Sequence, residues 1–227
     1  MRYAIYYAPE PGTRLHHLGA SWLGRDAFSQ GLPPKKSALG AIVDDPARYG
    51  FHATLKAPFQ LREGQTFGQL AASSDAFAES RSVVSSGKLA LQDIEGFLAL
   101  VPERQPEALD QLAGACVEHF DVFRRPPDVA ELVRRRNAKL TPRQDANLET
   151  WGYPYVFADF RFHMTLTRRL SPEEQAAVIP SAQRHFADII GRELIIDQLC
   201  IFQELHPQHV FTVEHCAKLG TGKSLSP

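Results

Sequence analysis

One short pattern occurs twice in the chain, as Phe51-His52-Ala53-Thr54-Leu55 and Phe162-His163-Met164-Thr165-Leu166. The copies lie in opposite halves of the sequence, and each falls in a segment with strand character that precedes a helical one. Such spacing points to a duplicated unit. Side chains alternate between the two faces of a strand. His52, Thr54 and Lys56 therefore share one face, and Phe51, Ala53, Leu55 and Ala57 share the other. In the second copy His163, Thr165 and Thr167 point together with Arg161, while Phe162, Met164 and Leu166 face away. Each strand can anchor itself through its apolar face and present an imidazole, a hydroxyl and nearby cations on the opposite one. Two lobes packed about a pseudo-symmetric axis would bring the two His/Thr pairs to one cleft.

That set suits phosphodiester chemistry. Cleaving a P–O bond requires a base to deprotonate the nucleophile and an acid to protonate the leaving alkoxide, and two imidazoles can exchange those roles near neutral pH. Thr54 and Thr165 can donate to phosphate oxygens, and Lys56 and Arg161 can stabilise charge as it develops. No carboxylate cluster accompanies the histidines, so neither a metal nor any other cofactor is expected.

The rest of the sequence sets the frame. A chain of 227 residues with 44% hydrophobic and 22% charged residues can bury a substantial core. A formal net charge of −1 offers no global attraction for nucleic acid, so long nucleic acids are not expected partners and phosphate binding must be local. No apolar run is long enough for a bilayer, and the N-terminus lacks a signal-peptide pattern, which points to the cytoplasm. Cys116, Cys200 and Cys216 show no CxxC spacing and read as buried free thiols.

Strands are expected at residues 2–8, 50–57, on both sides of the turn Glu95-Gly96 between 89 and 101, at 155–167, 194–204 and 210–215. Helices are expected near 15–23, 67–77 and 107–123, and after Ser171, with Pro180 interrupting the last. Residues 124–152 read as a helical insertion, in which Thr141-Pro142-Arg143-Gln144 forms a capping box. The mix lacks regular βαβ alternation and reads as α+β. A single bilobal domain over 1–216 with a mobile tail at 217–227 is expected.

The paired motifs resemble those of the two-histidine phosphoesterase superfamily, which includes RNA 2′,3′-cyclic phosphodiesterases and 2′-5′ RNA ligase-like proteins. More closely, Arg48-Tyr49-Gly50-Phe51-His52-Ala53-Thr54-Leu55-Lys56-Ala57-Pro58-Phe59 and Gly152-Tyr153-Pro154-Tyr155-Val156 resemble a bacterial branch of phosphonate metabolism proteins. The resemblance covers Arg2 to about His215. It implies antiparallel sheets around a central cleft with helices outside, His52 and His163 as the catalytic pair, and Thr54 and Thr165 as phosphate-binding hydroxyls. The role of Lys56 follows from strand parity alone.

Other features admit plainer readings. His206-Pro207-Gln208-His209 with His215 fits a hairpin turn better than a metal site. His16, His17, His119 and His185 suit helix surfaces. Arg134, Arg135, Arg136, Lys139 and Arg143 form either a solvated helix face or a rim that attracts a polyanionic substrate. Among the tyrosines, Tyr7 is the candidate to stack on a sugar or base. Three functions compete: hydrolysis of a small ribose cyclic phosphate linked to phosphonate catabolism, processing of RNA 2′,3′-cyclic phosphate or 2′-5′ ends, and non-catalytic binding of a phosphorylated metabolite.

Overall fold

The computed structural model describes residues 1–29, 39–127, 132, 136, 139–207 and 209–220. Eight strands form one antiparallel sheet, β1 (Arg2–Tyr7), β2 (Ala53–Phe59), β3 (Val84–Ile94), β4 (Phe97–Pro102), β5 (Met164–Thr165), β6 (Glu193–Ile196), β7 (Gln198–Glu204) and β8 (Thr212–Lys218). The spatial order is β6-β3-β4-β5-β2-β1-β7-β8. The two motif strands, β2 and β5, are neighbours at the centre, each carrying its half of the sheet outward. The expected pair of sheets is thus one continuous sheet.

Helices bounded among the described residues are α1 (Arg14–Leu23), α2 (Asp44–Tyr49), α3 (Phe67–Glu79), α4 (Glu107–His119), α5 (Pro142–Trp151) and α6 (Pro172–His185). Residues Thr66, Thr141 and Ser171 close capping boxes on α3, α5 and α6, each satisfying helix N–H groups that have no partner within the helix. The main core joins Leu15, Leu18, Trp22, Leu70, Phe77, Leu112, Phe120 and Phe186 of the helices and helix ends to Ile5, Leu55, Leu100, Phe162 and Met164 of the sheet side. Through its indole Nε1, Trp22 donates to Leu166 O at 2.9 Å, tying α1 to the end of the second motif.

Several local expectations are corrected. The segment 155–163 is not strand: a 3-10 turn at Phe157–Asp159 interrupts it, and Phe157 has φ 53°. Helix α6 runs through Pro180. Proline removes one i→i−4 bond, but Pro180 and Ala176, whose carbonyl loses its donor, are both exposed and water can replace that bond. Helix α2 has no counterpart among the expected helices. Its C-terminal carbonyls, Ala47 O and Arg48 O, accept from Arg25 Nη1 at 2.9 and 3.1 Å, a contact between residues too distant in sequence to read locally. Strand β8 continues to Lys218, and Gly220 N donates to Ala78 O, so residues 217–220 are part of the fold; 221–227 lie outside the described residues. Cys200 and Cys216 sit opposite each other across β7–β8 and are disulfide-bonded. Only Cys116 is the buried free thiol expected of all three, and burial pushes its pKa up to about 12.

Candidate functional site

The register between β2 and β5 decides the geometry. Ala53 pairs with Met164, both fully buried. In an antiparallel ladder the residues on either side then face one another crosswise, His52 across from Thr165 and Thr54 across from His163. A local two-fold axis passes between the two motifs.

The histidines are held alike. His52 Nδ1 donates to Gly50 O at 2.8 Å, and His163 Nδ1 donates to Arg161 O at 2.8 Å. A carbonyl can only accept, so each ring carries its proton on Nδ1 and leaves Nε2 with a lone pair when neutral. Thr54 Oγ1 lies 3.3 Å from His52 Nε2. Gly50, whose carbonyl holds His52, sits where only glycine fits. It has φ 77°, and a Cβ there would lie 2.6 Å from Ala27 Cβ.

Two adjoining cavities open on these groups. One, of about 450 Å³, is lined by Thr54, Arg143, Tyr153, Arg161 and His163; the other, of about 320 Å³, by Arg2, Tyr6, His52, Thr54 and Thr165. Thr54, Ala57 and Tyr153 line both. Burial lowers the His52 pKa to about 4 against the opposing Gly50 hydrogen bond, with positive charge on His163 and Arg25 acting in the same direction as burial. Burial likewise lowers His163, offset in part by the Arg161 carbonyl and reinforced by the Arg161 guanidinium. Both imidazoles are therefore neutral at pH 7.

Strand parity misplaces Lys56. The β1–β2 register shifts between the pairs Ile5↔Lys56 and Tyr6↔Thr54, so a bulge separates Thr54 from Lys56 and reverses the alternation. Ala57 lines the cavities instead. Lys56 is buried, and its Nζ donates to Val117 O at 2.8 Å and Asp121 Oδ1 at 3.0 Å. Thr167 also leaves the cleft face. It is buried, and its Oγ1 accepts from Leu98 N at 3.0 Å.

Tyr7 is likewise a core residue, 3% exposed and packed 6.2 Å from the Phe162 ring. Its neighbour Tyr6 takes the cleft position, because Tyr6 pairs with Thr54 and shares its face. The Tyr6 ring stacks on His52 at 3.9 Å and 21°. Only knowledge of which strand pairs with β1, and in what register, could have selected Tyr6 over Tyr7.

Arg161 is exposed at the larger cavity beside His163, and no carboxylate pairs with it among the described residues. Of the expected basic rim, Arg134 and Arg135 lie outside the described residues. Arg136 Nε donates to Asp145 Oδ1 at 2.6 Å, and its Nη2 reaches Glu149. Lys139 is exposed and lines neither cavity. Arg143 lines the larger cavity but is held by Asp159 at 2.7 and 3.0 Å. Neutralising Arg136 should therefore leave KM unchanged within twofold, whereas Arg161→Met should raise it. Steady-state kinetics on the two variants checks this, and a larger KM effect at Arg136 would restore the rim reading.

Among the described residues no group of three or more His, Cys, Asp or Glu could hold a metal, and no helix is long and apolar enough to cross a membrane. His215, raised as a possible ligand, lies 2.7 Å from Asp75 Oδ1.

Two bacterial proteins named "Ribose 1,5-bisphosphate phosphokinase PhnN" are similar to this chain. The one from Janthinobacterium sp. (strain Marseille) is 36% identical over 219 residues, and the one from Laribacter hongkongensis (strain HLHK9) is 38% identical over 208. The alignments take in 91% and 90% of this chain but 48% of each relative, so the chain spans about half their length. Among solved structures, TT0787 of Thermus thermophilus superposes with a TM-score of 0.48 at 17% identity, over 98% of this chain and 100% of that one. E. coli LigT in its apo form gives 0.46 at 12%, over 96% and 97%. The family described as "Protein of unknown function (DUF1045)" matches residues 54–212, well over half of the chain, and the chain belongs to that family.

Proposed function

We propose that the protein is a phosphoryl-transfer enzyme that hydrolyses a small cyclic phosphodiester, a ribose cyclic phosphate arising in phosphonate catabolism, with His52 and His163 as its acid/base pair. The observation that carries this reading is the Ala53↔Met164 register, which sets two His/Thr pairs crosswise on one cleft. The resemblance of the paired motifs to two-histidine phosphoesterases supports it. So does the ribose bisphosphate in the printed names of relatives that share about half their length with this chain. Cavities of about 450 and 320 Å³ suit a sugar phosphate.

In this mechanism one histidine takes a proton from water at its free Nε2 as the water oxygen attacks phosphorus. The P–O bond to a ring oxygen breaks, and the other histidine, protonated beforehand, gives its Nε2 proton to the leaving alkoxide. The product is a phosphate monoester with a free hydroxyl. Thr54 and Thr165 donate to the non-bridging oxygens, and the Arg161 guanidinium balances their charge from the rim.

Thr54→Val and Thr165→Val keep the β-branched shape and lose the donor. Each should cost about 1 to 3 kcal/mol of transition-state binding, read as a fall in kcat/KM. The substrate is tested by turnover of cyclic ribose phosphates against short RNA 2′,3′-cyclic phosphates, with EDTA present throughout. Faster turnover of the RNA ends would replace the sugar-phosphate reading by the RNA-end one. Activity abolished by EDTA and restored by a divalent ion would overturn the metal-independent mechanism.

A further inference from the structure

His52 lacks the partner that usually supports a proton-accepting imidazole. No carboxylate contacts it among the described residues, and its Nδ1 is spent on a backbone carbonyl. The groups around it are Arg25 and His163, whose positive charges oppose a third, together with the Tyr6, Tyr49 and Phe202 rings. Tyr49 and Phe202 lie 6.1 and 5.9 Å away and tilted, whereas Tyr6 lies nearly parallel at 3.9 Å. The tyrosine is locked in place. It is 1% exposed, packs on Phe202 at 4.9 Å, and pairs with Thr54 across the β1–β2 ladder.

We propose that Tyr6 is a positioning residue of the cleft, whose ring face supports the His52 imidazolium. An aromatic face carries negative potential and attracts a cation within about 6 Å of its centroid. When His52 accepts a proton, the new charge lies directly over that face. The stacking also fixes the plane of the imidazole, so Nε2 stays directed at the cleft. In the second motif the described ring beside His163 is Phe97, tilted at 56° and 5.7 Å away rather than stacked. The inference rests on the acid/base role proposed for His52, but the interaction itself can be read without turnover.

The test compares Tyr6→Phe with a protein carrying pentafluorophenylalanine at the same position, two rings of similar shape whose faces carry opposite electrostatic sign. The His52 titration is followed by NMR of histidine-labelled protein, assigned with His52→Ala. The fluorinated form should titrate lower than the Phe form by about half a pH unit or more. Equal midpoints would overturn the proposal. Tyr6→Phe keeps an electron-rich ring face, so its His52 midpoint should stay near that of the wild type. Absence of turnover in the wild type would sink the catalytic reading and leave the midpoint comparison standing.

Discussion

Replacing His52 or His163 by alanine should lower kcat by on the order of 10² to 10⁴, the usual contribution of a positioned acid or base. The folded state should persist, because each imidazole faces the cleft while Phe51, Ala53, Phe162 and Met164 hold the strands to the core. Within an acid/base pair the first loss disables the unit, so the double variant should be little worse than either single one. A product of the two single effects in the double variant would mean that the histidines act independently.

The pH profile follows from the same groups. Both histidines have pKa values below the ordinary 6.5, His52 at about 4, and the reaction needs one protonated and one neutral ring. At pH 7 the free enzyme has both neutral. Its kcat/KM should therefore rise as pH falls from 8 and the acid becomes populated, then fall again as His52 protonates. The maximum should lie below about pH 6.5, and the limbs belong to the coupled pair. A maximum above pH 7 in kcat/KM would contradict the burial-driven shifts.

The sequence carried the centre of this site because the signal was local and repeated: a buried apolar residue flanked by polar ones, twice, on strands. What it could not carry was pairing. Simple alternation assigns Lys56 to the cleft and fails at the irregular β1–β2 ladder, while Tyr7, offered as a stacking ring, gives way to Tyr6 because Tyr6 pairs with Thr54 and Tyr7 with the buried Ala53. A bulge is a relation between two strands, and no property of residues 53–59 alone announces it. The disulfide is hidden for the same reason, since Cys200 and Cys216 meet only through the β7–β8 register. Capping boxes, in contrast, are written in four consecutive residues: the one read at Thr141 appears where the sequence set it, and the helix expected after Ser171 begins there with a capping box of its own. The long strand expected at 155–167 shrinks to two residues: the 3-10 turn at Phe157–Asp159 breaks it, and Val156, Phe157 and Phe160 line the cavity instead.

The turned-away Lys56 leads to the second large effect. Its ammonium and the Arg124 guanidinium converge on Asp121, at 3.0 and 2.7 Å, with side chains 4%, 10% and 23% exposed respectively. Burial alone would raise the Asp121 pKa, but the hydrogen bonds and charges of Arg124 and Lys56 outweigh it and hold the carboxyl below its ordinary value. Lys56 itself is lowered, since its deeper burial outweighs the attraction of Asp121. Asp121→Ala leaves two cations buried without their counter-ion. Such a loss costs about 3 to 5 kcal/mol, and the partial exposure of Asp121 favours the lower end. Lys56→Met removes the cation together with its desolvation cost, keeps the aliphatic bulk and leaves Asp121 paired to Arg124. It should cost less than about 1.5 kcal/mol. The sign with pH is fixed by the lowered carboxyl: the Asp121 contribution is fully present above its unfolded pKa near 3.9 and disappears as pH falls through the folded value. Urea midpoints at pH 7, taken with a constant m-value, measure both variants. A Lys56→Met variant at least as destabilised as Asp121→Ala would show the lysine to be an essential charge, and would reopen a functional role for the side chain that the bulge turned inward.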